Sequence, residues 1–157
     1  MLKREAREIL GMEDDPDLRL VSSRIFDICE YLVALHERGE LKTDFAPIRE
    51  TVTYHAPCQQ RGHGIGKPAM DLFALIPELT AVELDAACCG VAGTYGLKKD
   101  KYPISMKVGS ELFGQIAAAP PGLNACDSET CRWQIQHATG VRSVHPVELL
   151  HRAAGLP

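Results

Sequence analysis

Thr51-Val52-Thr53-Tyr54-His55-Ala56-Pro57-Cys58 is the stretch that decides the fold. Its first five residues are β-branched and aromatic, the composition of a strand, and a cysteine follows soon after. The same grammar recurs downstream. After a glycine-rich loop, Pro68 opens a helix running through Ile76, and Ala81-Val82-Glu83-Leu84 forms a second strand. Another glycine-rich loop leads to a helix opened by Pro103, with Ile104, Val108, Leu112 and Ile116 at spacings of four. Leu123 to Cys126 is a short strand, Glu129 to Thr139 a helix stopped by Gly140, Val141 to Val144 a last strand, and Pro146 to Arg152 a last helix. Strand and helix alternate four times. That alternation predicts an α/β fold, a small, mostly parallel four-stranded sheet flanked by helices.

Upstream lies an N-terminal helical lead-in. A short helix is expected over Lys3 to Leu10. Asp15-Pro16-Asp17 is a helix start, and Leu18, Val21, Ile25, Ile28, Leu32 and Leu35 follow at spacings of three and four. One amphipathic helix of about twenty residues is therefore expected, ended at Gly39. Lys42 to Ile48 is the joint to the α/β body. The chain divides on this reading into a lead-in, 1–48, and an α/β domain, 49–157.

The 157 residues suit one domain with a short appendage. Hydrophobic residues make up 45% and charged residues 24%, which excludes a disordered or fibrous chain. A formal charge of −4 argues against nucleic acid as a partner. No apolar run approaches the ~20 residues of a spanning helix. The charged start Met1-Leu2-Lys3-Arg4-Glu5 lacks the apolar stretch of a signal peptide, so a cytoplasmic setting is expected. Six cysteines are conspicuous in such a chain.

Five of the six fall just beyond the C-terminal ends of predicted strands. Cys58 follows the first, Cys88 and Cys89 the second, Cys126 ends the third, and Cys131 lies in the next helical turn. In parallel α/β sheets the strand-to-helix loops converge at that edge, where ligands bind. Several thiolates meeting there suit soft-metal ligation, by zinc or an iron–sulfur centre. Gly90, Gly93 and Gly96 allow a tight turn whose free amides can donate to sulfur, and the helix start at Glu129 favours Cys131 as thiolate. Buried small hydrophobes and redox disulfides are the competing readings. Cys29, beside Ile28 and Leu32 on the helical stripe, reads as a core thiol.

His55 and His145 lie at the same edge and can ligate, donate to sulfur, or simply cap and pack; His63 also flanks Cys58. Gly62-His63-Gly64-Ile65-Gly66-Lys67-Pro68 fails as a P-loop, because three residues rather than four separate Gly62 and Gly66, and Pro68 replaces the hydroxyl. It fails the dinucleotide fingerprint too, with Lys67 in place of the third glycine. Arg61 and Lys67 nevertheless set two cations ahead of a helix start, where an anion can bind.

His55-x-x-Cys58, Cys88-Cys89-Gly90-x-Ala92-Gly93 and the late Cys131 together resemble the cysteine-rich CCG domain family. That family is found in heterodisulfide reductases, glycolate oxidase iron–sulfur subunits, lactate-utilisation proteins and anaerobic glycerol-3-phosphate dehydrogenases. The segments 89–99, 129–135 and 145–150 are most similar to the C-terminal module of the last branch, and the resemblance covers Thr51 to Arg152. It implies an iron–sulfur electron-transfer role within a flavin-linked oxidoreductase. The implied cofactor is a [4Fe–4S] cluster, cubane or non-cubane, on Cys58, Cys88, Cys89 and Cys131, with Gly90 and His55 beside it and no catalytic residue. Ser128 stands where the family places a cysteine, and Cys126, on the same side of an extended backbone, can substitute. Family members carry two modules, often preceded by ferredoxin-type clusters. This chain is therefore expected to be a C-terminal piece, its lead-in connecting modules. Implied partners are a flavin-containing dehydrogenase subunit, an upstream CCG or ferredoxin-type portion, and a quinone, with a location in the cytoplasm or at the membrane's inner face. A zinc-bearing docking module and a thiol–disulfide reductase site remain the alternatives.

Overall fold

A computed structural model describes residues 2–3 and 5–156. Met1 and Arg4, part of the expected charged start and of the first helix, lie outside the described residues, as does Pro157. The body is built on β1 (Thr51–Tyr54), β2 (Thr80–Glu83), β3 (Leu123–Ala125) and β4 (Ser143–Val144), in the order β2-β1-β3-β4. All pairings are parallel, so the expected sheet is parallel throughout. Val52 pairs with Ala81 on one side and Leu123 on the other, which makes β1 an inner strand. Its Val52 and Tyr54 are fully buried, whereas β2 is an edge with Val82 37% exposed.

Helices cover both faces. On one face lie α3 (Ile28–Glu37), α5 (Pro68–Phe73) and α8 (Pro146–Ala153), whose Cys29, Leu72, Phe73, Leu149 and Leu150 share a core with Val52, Tyr54 and Val144. On the other lie α6 (Tyr102–Ala118) and α7 (Glu129–Thr139), with Leu112, Ile116 and Ile135. Three of the thiols, Cys89, Cys126 and Cys131, belong to this second core. A polar ladder crosses the buried sheet. Asn124 donates to the Thr53 carbonyl and hydroxyl, both at 3.2 Å, and Ser143 donates to Asn124 at 2.7 Å, so the buried amide is satisfied.

The lead-in departs from expectation. The expected short helix is present as α1 (Glu5–Leu10), but in place of the one long helix there are α2 (Pro16–Ser22) and α3, with a break at Ser23 to Asp27. Asp27 causes it. Its carboxylate accepts from the Cys29 and Glu30 amides, and Glu30 accepts from the Asp27 amide at 3.1 Å, a capping box that starts a new helix. The predicted stripe is thereby split, leaving Val21 44% and Ile28 45% exposed. Cys29, Leu32 and Val33 still pack against the body through α5. The joint at 42–48 is extended, and its Ala46 and Ile48 amides donate to the carbonyls of Ala153 and Pro77.

Other boundaries move as well: β2 is shifted one residue upstream and β4 starts at Ser143 rather than Val141. The loop after β1 begins with a helical turn, α4 (Cys58–Gly62), and α5 stops at Phe73 rather than Ile76.

Candidate metal centre

In the order β2-β1-β3-β4 the chain runs outward from β1 to β2, then back across to β3. The carboxyl ends of β1 and β3 therefore flank the point where connections diverge, the usual site of a ligand crevice in open α/β sheets. All five edge cysteines are placed around it. Cys58 is the first residue of α4 and exposed. Cys88 is half-buried, and Cys89, Cys126 and Cys131 are buried.

Each thiol finds others. Cys89 Sγ lies 2.8 Å from Cys131 Sγ. Cys131 interacts with Cys126, and Cys58 with Cys88 and Cys89. The proton affinities follow from this crowding. Hydrogen bonding to Cys131, then burial, pushes the Cys89 thiol far up. Cys126, ahead of burial, pushes Cys131 up to about 12, although Cys89 and Ser128 pull the other way. The thiolate expected from the helix start is thus overridden by neighbouring sulfur. Burial chiefly, with Cys88 and Cys89, raises Cys58. Thiols this close can share a metal cation once their protons are displaced.

The Cys88-Cys89-Gly90 turn is pressed against α6. Gly90 has φ +87°, and a Cβ there would stand 2.0 Å from the Ser105 carbonyl oxygen. From the helix side, a Cβ on Gly109 would meet the Cys89 carbonyl oxygen at 2.4 Å. Only paired glycines allow this approach. The Gly90 amide donates to Cys88 Sγ at 3.2 Å, the amide-to-sulfur contact that favours thiolate.

His55 is wholly buried at the end of β1, and neither ring nitrogen has a partner. A buried, unpaired imidazole three residues before Cys58 is an orphan awaiting a ligand or donor role. His145 is accounted for: its Nδ1 accepts from the Val147 amide and caps α8 in a capping box with Glu148. Burial, with the Arg61 cation adding to it, brings His55 from its ordinary 6.5 down to about 4. The unfolded chain then takes up a proton near pH 6.5 that the folded chain refuses. His55's share of stability is full above pH 6.5 and lost as pH falls toward 4, at most about 3 kcal/mol at 1.36 kcal/mol per tenfold. Between pH 6.5 and 4.5 the metal-free protein should therefore lose more thermal stability than its His55→Gln variant. Equal slopes of Tm against pH would refute this.

Ser128 occupies the position where the family pattern has cysteine. Its hydroxyl lies 3.3 Å from the Thr130 hydroxyl and also interacts with Cys131, while Cys126 reaches Cys131 from the strand end. Between them, Asp127 is held by residues that carry no local signal in the sequence. The Tyr54 hydroxyl donates to Asp127 Oδ2 at 2.7 Å and lies 3.1 Å from Gln60 Oε1. The Cys29 thiol donates to Asp127 Oδ1 at 3.4 Å. Asp27, Cys29 and Asp127 bring their donor atoms within 4.8 Å of one another. Helix capping and these hydrogen bonds already engage both carboxylates, and burial, then Asp127, holds the Cys29 thiol well above its ordinary range. Arg61 and Lys67, expected as anion contacts, instead serve the carbonyls of Ala86 and Ala87 and the Glu83 carboxylate.

The cysteine-rich CCG domain family matches residues 52–136. A component of the anaerobic glycerol-3-phosphate dehydrogenase of Escherichia coli K12 is 43% identical over 107 residues, covering 68% of this chain and 27% of that protein. An uncharacterized iron-sulfur protein of Methanocaldococcus jannaschii is 34% identical over 94 residues, 59% of this chain and 18% of that protein. Another from Methanococcus maripaludis is 31% identical over 98 residues, with 60% and 18% covered. The chain thus spans about a quarter or less of the length of these relatives. No solved structure matches.

Proposed function

The chain belongs to the cysteine-rich CCG domain family, and from that premise we propose that it is an iron–sulfur electron-transfer module of a larger oxidoreductase. The observation that carries this reading is the convergence of five thiols from three strand-end loops, one pair at 2.8 Å, together with a buried, partnerless imidazole three residues before Cys58. The donor set fits the group. Cys58, Cys88, Cys89 and Cys131 would hold it, with Cys126 in the place of a cysteine at 128 and Gly90 and His55 lining it. Among the described residues, the trio of donors mutually within 4.8 Å is Asp27, Cys29 and Asp127 rather than a set of edge thiols. Ligands spread along a chain of contacts suit a cluster, whose cysteines bind different irons, better than one tetrahedral ion. When bound, such a cluster supplies reversible one-electron transfer.

The protein's own part is electrostatic and steric. Buried Cys89, Cys126 and Cys131, backed by Leu112 and Ile135, exclude water from the inner side. The Gly90 amide stabilises charge on Cys88. Cys58 leaves one end open to solvent, the end at which a redox partner can approach. The E. coli relative is named as a subunit of a glycerol-3-phosphate dehydrogenase, which supports a dehydrogenase subunit as that partner. A flavin on that subunit, a further CCG or ferredoxin-type portion upstream and a quinone acceptor are what the family resemblance adds to the proposal. A cytoplasmic place, or attachment at the inner face of a membrane, accords with this. Among the described residues no helix is long and apolar enough to cross a membrane.

Protein produced and purified without oxygen should carry iron and acid-labile sulfide in roughly equal amounts, with broad visible absorption that bleaches on reduction. Background iron and sulfide in folded protein would overturn the proposal. One zinc per chain with no visible absorption would replace it with a docking module, and turnover blocked by alkylation of metal-free protein with a thiol–disulfide site.

A further inference from the structure

Two side chains do the same job from opposite sides of the Cys88-Cys89 turn. Arg61 lies three residues after Cys58, and Gln134 three residues after Cys131, one helical turn along in each case. Arg61 donates to the Ala86 carbonyl at 3.3 Å and to the Ala87 carbonyl, the two residues before Cys88. Gln134, only 4% exposed, donates from its amide nitrogen to the Cys89 carbonyl at 3.3 Å and to the Ser105 hydroxyl at 2.6 Å.

We propose that Arg61 and Gln134 are paired positioning residues that fix the Cys88-Cys89 turn to the helices bearing Cys58 and Cys131, so that ligands from three loops keep a constant spacing. The inference rests on the iron–sulfur reading above and goes beyond it by assigning residues that touch no sulfur in the hydrogen-bond pattern. The geometry demands some such device. The turn has no strand pairing after β2 ends at Glu83, and Leu84 makes the last sheet-like bond, to the Tyr54 carbonyl. Beyond it the carbonyls of Ala86, Ala87 and Cys89 are held by side chains from α4 and α7. Each clamp ties a thiol-bearing helix to the backbone beside another thiol. Outer residues that orient ligands in this way typically carry a tenfold to hundredfold share of metal affinity.

The test uses Arg61→Met and Gln134→Met, each compared with the parent for iron and sulfide content, rate of iron release to a chelator, and the low-temperature electron paramagnetic resonance spectrum after reduction. Both variants are expected to release iron about tenfold faster or more, with an altered resonance, while Arg61→Lys, which retains a donor, recovers part of the parent's retention. A purely structural role would lower Tm without moving the resonance. Because Arg61 is at the surface, its variant will fold even if Gln134→Met does not, and it then decides the matter. A parent that holds iron and sulfide beside variants that hold them equally, with an unchanged resonance, overturns the clamp alone. A parent that holds neither overturns the iron–sulfur reading and the clamp with it.

Discussion

Replacing Cys89 with serine is expected to lower the iron and sulfide retained by the protein at least tenfold, whereas Cys29→Ser leaves both at the parent's level. The contrast follows from where two buried thiols face. Cys89 Sγ is 2.8 Å from Cys131 Sγ and electrostatically coupled to Cys58, so it stands at the centre of the chain of sulfur contacts. A serine oxygen keeps the size but is a poor ligand for iron at neutral pH, and it breaks that chain in the middle. Cys29 lies in the other core and donates to Asp127, a bond that a serine hydroxyl can also make. Iron and sulfide analysis of the two variants, loaded side by side, checks the prediction. Equal retention in Cys89→Ser and the parent would remove Cys89 from the ligand set.

Gly90→Ala should be the most destabilising single-methyl change in the domain. The residue adopts φ +87°, which costs an L-residue about 1–2 kcal/mol. The added Cβ would also stand 2.0 Å from the Ser105 carbonyl and 2.9 Å from the Gly109 amide, both backbone atoms of α6 that cannot rotate away. Overpacking of this kind adds about 1–3 kcal/mol. A total near 3 kcal/mol corresponds to a fall in Tm of about 10 °C for a domain of this size. Gly109→Ala meets the same interface from the helix, with its closest contacts the Cys89 carbonyl and the Phe113 ring, but its backbone is not in the left-handed region. It should therefore cost less. Thermal unfolding of the two metal-free variants compares them, and a Gly90→Ala Tm within about 2 °C of the parent would refute the argument.

The sheet and its helices were legible because each element carries a local signal. Val52 and Tyr54 mark β1, while Pro68, Pro103 and Pro146 mark helix starts, and those signals agree with the packing they serve. The break in the lead-in had a signal too, Asp27-x-x-Glu30, but the regular spacing from Leu18 to Leu35 masked it. A capping box needs only four residues, and it prevailed over a stripe of six. The positions of the edge cysteines were readable from strand ends alone. Their pairings were not, because the contact of Cys126 with Cys131 depends on how α7 leaves the strand. Asp127, Tyr54, Gln60 and Gln134 escaped notice as site residues, and Arg61 was read as an anion contact, for one physical reason. Their roles lie in hydrogen bonds to residues distant in sequence, and neither propensity nor periodicity records those.

The strand order has a consequence in time. Of the five edge thiols Cys58 emerges from the ribosome first, yet the site proposed for it is completed by Cys88 and Cys89 on one side of β1 and by Cys126 and Cys131 on the other. Neither half encloses the crevice alone, and β3 pairs with β1 only after the whole of α6 has been made. A nascent chain therefore displays unpaired thiols until most of the domain has been synthesised. On the proposed iron–sulfur reading, iron and sulfide would arrive at a chain that has already folded or is just closing. The cell's delivery machinery would meet this protein through the solvent-facing Cys58, and the interval before delivery is when oxygen can do the most damage.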